Sequence, residues 1–376
     1  MKNILIKEFK DLNIAIIDAD IIGRRKHRFP NLASMKLSAY HKSCGDNVTL
    51  ITDYNQTYKY DKCYVSKVFT ATQVPDDLMK RDNVICGGTG FFYDKAEPLP
   101  NEIEHIMPDY HLYDSWISEK IQDGARKSHF DMYRNYSIGF LTRGCFRQCP
   151  FCVNQHYTRC VKHSNISEFL DTSRKKICLL DDNFLACPEW KGLIEEVKKT
   201  GKRFQFQQGL DERLLTEDKC AELASWKYDK EFIFAFDDIN DYDLIEKKLK
   251  ILRKHIKKQC KFYTLCGYDR NNVYDIEFWI QDIINTFRRI ELLGSYRCLP
   301  YIMRHANYEL SPYRGIYIAI AMWCNTPSMF KTQSFEGFAK KYDTYIKRKS
   351  KILEYYELAS SIPEIDKYLH RCYFIK

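Results

Sequence analysis

Three cysteines in one short stretch carry the most specific chemistry of this chain. In TRGCFRQCPFCVN, Cys145, Cys149 and Cys152 follow a Cys-x3-Cys-x2-Cys spacing. Soft thiolates so close together select an iron–sulfur cluster or zinc. Structural zinc normally takes four protein ligands in a closed tetrahedron. Three thiolates instead leave a cubane with one iron that the protein does not ligate, a place for a small molecule to chelate. The competing readings are buried cysteines of no chemical role, and a zinc knuckle completed by a distant fourth ligand. The other twelve of the fifteen cysteines are scattered, many in apolar runs such as Cys178 in KKICLLDD and Cys266 in FYTLCGYD. These read as small core hydrophobes, not as a disulfide framework.

Further polar groups gather where apolar runs end. LLDDNF supplies Asp181 and Asp182, FQFQQG supplies Gln207 and Gln208, AFDD supplies Asp237 and Asp238, and IMRH supplies Arg304. A carboxylate suits a cationic ammonium, and the amides suit hydrogen bonding to a cofactor or substrate. Each also has a bland reading as a turn residue, an N-cap, a solvated strand end or a structural ion pair.

The elements that must position these groups follow from the pattern. Strand signals at residues 13–20, 47–52, 62–69 and 83–88 are separated by helical or turn segments, which predicts a parallel, doubly wound sheet. Residues 30–45 have helical spacing, with Pro30 near the start and Gly45 at the end. Residues 95–135, with Pro98, Pro100 and Pro108, read as a linker. A strand at 136–145 runs into the cysteine loop. Strands at 176–183, 203–209, 231–238, 261–269 and 298–305 complete six β/α units. The expected fold class is therefore α/β: a Rossmann-like domain over 1–94, the linker, a partial (β/α)6 barrel over 136–308, and a helical region over 309–376. In such barrels the site lies at the C-terminal ends of the strands, which is where the polar clusters fall.

The cysteine loop resembles the signature of the radical S-adenosylmethionine (SAM) superfamily, with Phe151 at the family's aromatic position beside the adenine. The resemblance implies a 4Fe–4S cluster on Cys145, Cys149 and Cys152, and SAM chelated to its open iron through amino and carboxylate groups. It implies reductive cleavage of SAM to methionine and a 5′-deoxyadenosyl radical that abstracts a hydrogen atom. A reducing partner such as flavodoxin or ferredoxin is implied with it. Most of the superfamily has a Gly-Gly-Glu type segment at the second barrel strand for the SAM ammonium. Here Asp181 and Asp182 stand instead. The Asp-Asp-Asn-Phe version looks like the branch whose barrel follows a cobalamin-binding-type domain. IAIIDADIIG, PNLASMKLSAYHKSCGDNVTLI, ICGGTG and LPNEIEHIMPDYHLYD are similar to that domain and its linker.

One departure matters. That domain's motif is Asp-x-His-x-x-Gly, and the aligned residues here are Asp18, Ala19, Asp20, Ile21, Ile22 and Gly23. The cobalt-ligating imidazole is replaced by the Asp20 carboxylate. His27 is a nearby substitute in principle, and Gly87 and Gly88 allow close backbone approach or a tight turn. Cobalamin is thus a possible cofactor, and a structural or substrate-presenting domain is the other expectation. Methylthio transfer is not expected, because Cys44, Cys63 and Cys86 do not follow the pattern for a second cluster.

Composition narrows the class. Apolar residues make up 45% of the 376, enough to bury sizeable cores. No run approaches the ~20 apolar residues of a membrane helix, and the N-terminus lacks a signal-peptide pattern, so the expectation is a cytoplasmic protein with no membrane partner. The net charge of +9 concentrates in EKKLKILRKHIKKQCK and KKYDTYIKRKSK. These are either solvated helix faces or a site for an anionic partner such as RNA. Two functions follow. One is a radical SAM enzyme acting on RNA, a peptide or another substrate, with cobalamin-dependent methyl transfer as one subtype. The other is a nucleic-acid-binding protein with a structural metal site.

Overall fold

The run NIAIID gives β1 (Asn13–Asp18), buried from Ile14 onward. A strand so apolar on both faces belongs inside a parallel sheet. It lies between β2 (Asn47–Leu50) and β3 (Lys62–Ser66), parallel to both. β4 (Val84–Gly87) extends the sheet beside β3, giving the order β2-β1-β3-β4. The strand order reverses between β1 and β3, so the crevice of this doubly wound sheet opens at their C-terminal ends. The helix Leu32–Ser43 is capped by Asn31, whose side chain accepts a hydrogen bond from Ser34 N at 3.0 Å.

The computed structural model of the chain describes residues 11–24, 27–345 and 351–374. Arg25 and Lys26 of the basic loop, and residues 346–350 of the second basic segment, lie outside the described residues. The chain divides into two compact units, Met1–Asp182 with Cys187–Phe204, and Asn183–Ala186 with Gln205–Lys376. This division falls inside the segment read as the barrel.

In the first unit, the stretch expected as a linker is packed. Tyr110, Leu112, Tyr113, Trp116, Ile117, Phe130 and Tyr133 share a core with Ile14, Ile16 and Met35 of the sheet layer. Three prolines misled the reading, because the aromatic residues between them supply far more apolar area than a linker needs. Arg174 is buried under this layer and donates to the carbonyls of Tyr133, Tyr136 and Tyr110.

The strand expected to run straight into the cysteine loop is broken. β5 (Tyr136–Gly139) ends where Phe140 and Leu141 turn the chain, and β6 (Thr142–Arg143) follows. β6 pairs antiparallel with β7 (Val161–Lys162), so the cysteine loop is the long connection of a two-stranded ribbon. β5 pairs parallel with β8 (Lys176–Leu179). β9 (Arg203–Phe206) is third in that sheet and carries the division between the units.

The second unit holds β10 (Phe232–Ala235), β11 (Cys260–Cys266) and β12 (Leu299–Arg304), all parallel. All six expected barrel strands are therefore present, as two three-stranded sheets. The C-terminal helices are not a separate layer. Ile316, Tyr317, Trp323, Phe338 and Leu369 share one core with Trp279, Ile283, Phe287 and Ile302. Among the described residues no helix is long and apolar enough to cross a membrane.

Candidate metal centre

The cysteine loop is shaped by its backbone. Gly144 has φ +94°, and a Cβ there would fall against the carbonyl oxygen of Arg159, so only glycine fits. Gln148 also lies in the left-handed region, at φ 49°. These two positions bend the chain so that Cys145, Cys149 and Cys152 are each half-buried. Cys152 N donates to Cys149 O at 2.9 Å. Arg147 N donates to Cys145 Sγ, and Asn154 N to Cys152 Sγ, both at 3.4 Å. Hydrogen bonds to the sulfurs are among the contacts by which a protein tunes a cluster bound there. The donor set thus fits an iron–sulfur cluster: three accessible soft thiols in one loop, two of them already receiving N–H groups. Among the described residues no three His, Cys, Asp or Glu side chains form a gathered metal-ligand group.

Asp181 and Asp182 follow β8, just past Leu180, and have different surroundings. Asp181 is fully buried. It accepts from Thr142 N and Thr142 Oγ1 at 2.6 Å each, and from Leu141 N at 3.3 Å. Burial outweighs these donors and pushes its carboxyl up to about 7. It holds the Leu141–Thr142 turn through these three hydrogen bonds. Asp182 is half-buried. Its Oδ2 accepts from Gly144 N and its Oδ1 from Asn154 Nδ2, each at 2.8 Å. Phe151, whose ring was expected beside an adenine, has its carbonyl bonded by Tyr93 Oη at 3.0 Å. Tyr93 has φ 49°, an unfavourable backbone for a bulky side chain. Sequence reading missed both Tyr93 and Asn154. The Asn154 position two residues after the last cysteine was the one signal that could have found it.

The remaining expected site residues lie at strand ends of the second unit. Gln207 and Gln208 follow β9, and Gln207 Oε1 accepts from Gln205 Nε2 at 3.3 Å. Asp237 follows β10 and accepts from Leu265 N at 2.9 Å. Burial raises its carboxyl, against the nearby Arg289 charge. Arg289 is itself buried and donates to the carbonyls of Phe236, Asp237 and Leu265. Asp238 pairs with Arg270 at 2.7 Å. Arg304 ends β12 and is exposed, with its guanidinium 4.5 Å over the Tyr308 ring. Asp237 and Arg304 are therefore not partners of one ion pair. Glu212, which sequence reading passed over, is buried beside Asp211 and accepts from Ala235 N at 3.0 Å. Burial, with the like charge of Asp211, pushes it up to about 8.

At the crevice of the N-terminal sheet, both carboxyls of the altered motif are engaged. Asp18 Oδ2 accepts from Tyr113 Oη at 2.8 Å, and burial raises this carboxyl to about 7. Asp20 is 1% exposed. It accepts from Val68 N at 2.7 Å and from the Thr72 hydroxyl. Gly23 packs under Thr72, where a Cβ would meet Thr72 Cγ2 at 2.8 Å. The side chain at the place of the cobalt ligand thus ties down the segment after β3. These residues do not fit axial ligation of cobalamin through position 20. His27 does not replace it, because its Nε2 lies 2.6 Å from Phe29 O.

Comparison with known proteins places the fold. No protein-family model matches the chain, and no curated protein matches it. Among solved structures it is similar to TsrM from Kitasatospora setae, a radical SAM methyltransferase with cobalamin and a 4Fe–4S cluster bound. The TM-score is 0.52 at 11% identity, over 78% of this chain and 72% of that one. The cobalamin-dependent SAM radical enzyme OxsB, with aqua-cobalamin and SAM bound, aligns over 83% of this chain and 55% of its own, with a TM-score of 0.44 at 10% identity. On this alignment the chain shares the fold of the TsrM structure.

Proposed function

We propose that this chain is a radical SAM enzyme whose 4Fe–4S cluster is held by Cys145, Cys149 and Cys152. The observation that carries the reading is the triad itself: three half-buried thiols in one closed loop, two with backbone donors on sulfur, in a chain with the TsrM fold. When bound and reduced, the cluster supplies the electron that splits SAM into methionine and a 5′-deoxyadenosyl radical. The chain's own residues hold and orient. Phe151 is proposed to face the adenine. Of the two carboxylates after β8, Asp182 is proposed to face the SAM ammonium, through lone pairs beyond those its two protein donors use. Asp181 holds the Leu141–Thr142 turn. Gln207, Gln208, Asp237 and Arg304 are proposed to contact SAM or substrate, since each stands at or just past the C-terminal end of a strand.

The architecture proposed with this reading is a Rossmann-like domain, a partial (β/α)6 barrel and a helical C-terminal region. The substrate is an RNA, a peptide or another molecule with an abstractable hydrogen. The net charge of +9 favours an acidic one-electron carrier of the flavodoxin or ferredoxin kind as reductant. The engaged Asp20 supports a structural or substrate-presenting role for the N-terminal domain, and no step is assigned to cobalamin.

The test is anaerobic incubation of the iron-loaded protein with SAM and dithionite. The reading predicts 5′-deoxyadenosine and methionine in equal amounts. Stoichiometric zinc without iron, and no cleavage of SAM, would overturn it in favour of a structural metal site.

A further inference from the structure

The residues flanking the cysteine triad are tied to a single side chain. Gly144 immediately precedes Cys145, and its N–H donates to Asp182 Oδ2 at 2.8 Å. Asn154 stands two residues after Cys152, and its side-chain amide donates to Asp182 Oδ1 at 2.8 Å. Asn154 also donates its backbone N–H to Cys152 Sγ at 3.4 Å. One carboxylate therefore bridges the two ends of the loop, and its partner on the far end touches a thiol directly. The bridge stands on fixed ground. Asp182 follows β8, which pairs with β5 in parallel register from Tyr136↔Lys176 to Gly139↔Leu179. Its neighbour Asp181 pins the Leu141–Thr142 turn that leads into the loop.

We propose that Asp182 and Asn154 form a clasp that closes the cysteine loop before any metal arrives, so that Asp182 is a positioning residue for cluster capture. The proposal rests on reading the triad as the cluster site. The physical reason is entropic. An open loop must surrender its conformational freedom when it binds iron, which weakens binding and speeds loss. A loop whose ends are already joined has lost that freedom on folding. The donor types also explain why an acid and an amide are needed. The backbone N–H of Gly144 and the amide N–H of Asn154 are both donors, so the residue between them must accept twice. A carboxylate accepts on both of its oxygens, whereas a neutral amide accepts on only one of the two positions.

The pair can be exchanged. Asp182→Asn leaves one donor facing another donor. Asn154→Asp puts two carboxylates face to face. The double variant restores complementarity, because Asn at 182 accepts from Gly144 and donates to Asp at 154. The experiment uses the full chain in four forms: parent, Asp182→Asn, Asn154→Asp and the double exchange. Hydrogen exchange of the iron-free proteins reads the clasp over residues 141–157. EDTA stripping of iron from the anaerobically loaded proteins, followed by loss of the brown chromophore, reads its effect on the cluster.

Each single change is expected to raise exchange in this segment and to speed iron loss by about tenfold, the loss of one charge-assisted hydrogen bond. The double exchange should return both readings to within roughly threefold of the parent. Parent-like exchange and stripping in both single variants would overturn the clasp, as would a double variant worse than either single one. If the parent takes up no iron while the exchange pattern still follows the swap, the clasp stands and the cluster reading falls.

Discussion

At the scale of single residues, two adjacent aspartates in the turn after β8 have different partners. Asp181 turns inward to Thr142, and Asp182 turns to the cysteine loop. Removing a carboxylate that faces a partly desolvated ammonium forfeits ~1.5–3 kcal/mol. Asp182→Asn should therefore weaken SAM binding by roughly one to two orders of magnitude, even in samples matched for iron content. Asp181→Asn should leave SAM affinity near that of the parent while lowering the stability of the first unit. Titration of SAM into the reduced cluster, followed by electron paramagnetic resonance, separates the two. A larger loss in Asp181→Asn than in Asp182→Asn would reverse the assignment.

At the scale of elements, buried ionisable side chains fasten the turns after the strands. Glu212, in the turn after β9, holds the backbone of β10 through Ala235 N. Its carboxyl is raised from 4.5 to about 8, so the folded chain keeps a proton that the unfolded chain has released. The stability linked to this proton is complete below pH ~4.5 and is lost as pH rises through about 8. Glu212→Gln removes that dependence. The stability difference between parent and variant should fall by up to about 3 kcal/mol between pH 5 and pH 7, at ~1.4 kcal/mol per pH unit. Urea unfolding at the two pH values measures it. A difference that stays constant would mean that Glu212 is ionised in the folded protein.

These fastenings mark what the sequence could and could not show. The strands were legible, because NIAIID, KICL and FIFA are short apolar runs bounded by polar residues. The cysteine loop was legible from spacing alone. The break at Phe140–Leu141 was not, since nothing local distinguishes a bent strand from a straight one. Arg174 and Arg289 were not legible either. A basic residue in an amphipathic pattern looks solvated until the carbonyls it satisfies are brought together by the fold. Asp182 was read for its charge, but its partners Gly144 and Asn154 lie 38 and 28 residues away.

At the scale of the whole molecule, the basic helix Tyr242–His255 is largely committed to the protein itself. Arg253 donates to the carbonyls of Tyr296, Ile256, Lys258 and Arg297. Lys248 donates to Leu215 O, and Lys254 and His255 pair with Glu217. That argues against a helix face held open for RNA, and against a protein whose main work is nucleic-acid binding. In the first unit, sheet, packed aromatic layer and cysteine ribbon belong to one compact body. In its N-terminal sheet, the Asp20 carboxylate holds the segment after β3 through Val68 N and the Thr72 hydroxyl.

The most direct test of the central claim is iron and sulfide analysis of the anaerobically reconstituted parent beside a Cys145→Ala/Cys149→Ala/Cys152→Ala variant. Twelve other cysteines remain in the variant, so nonspecific iron binding is controlled. The parent should hold about four iron and four sulfide per chain, with the brown chromophore, and the variant should hold almost none. A variant that keeps the parent's iron and sulfide would contradict the assignment of the cluster to this loop.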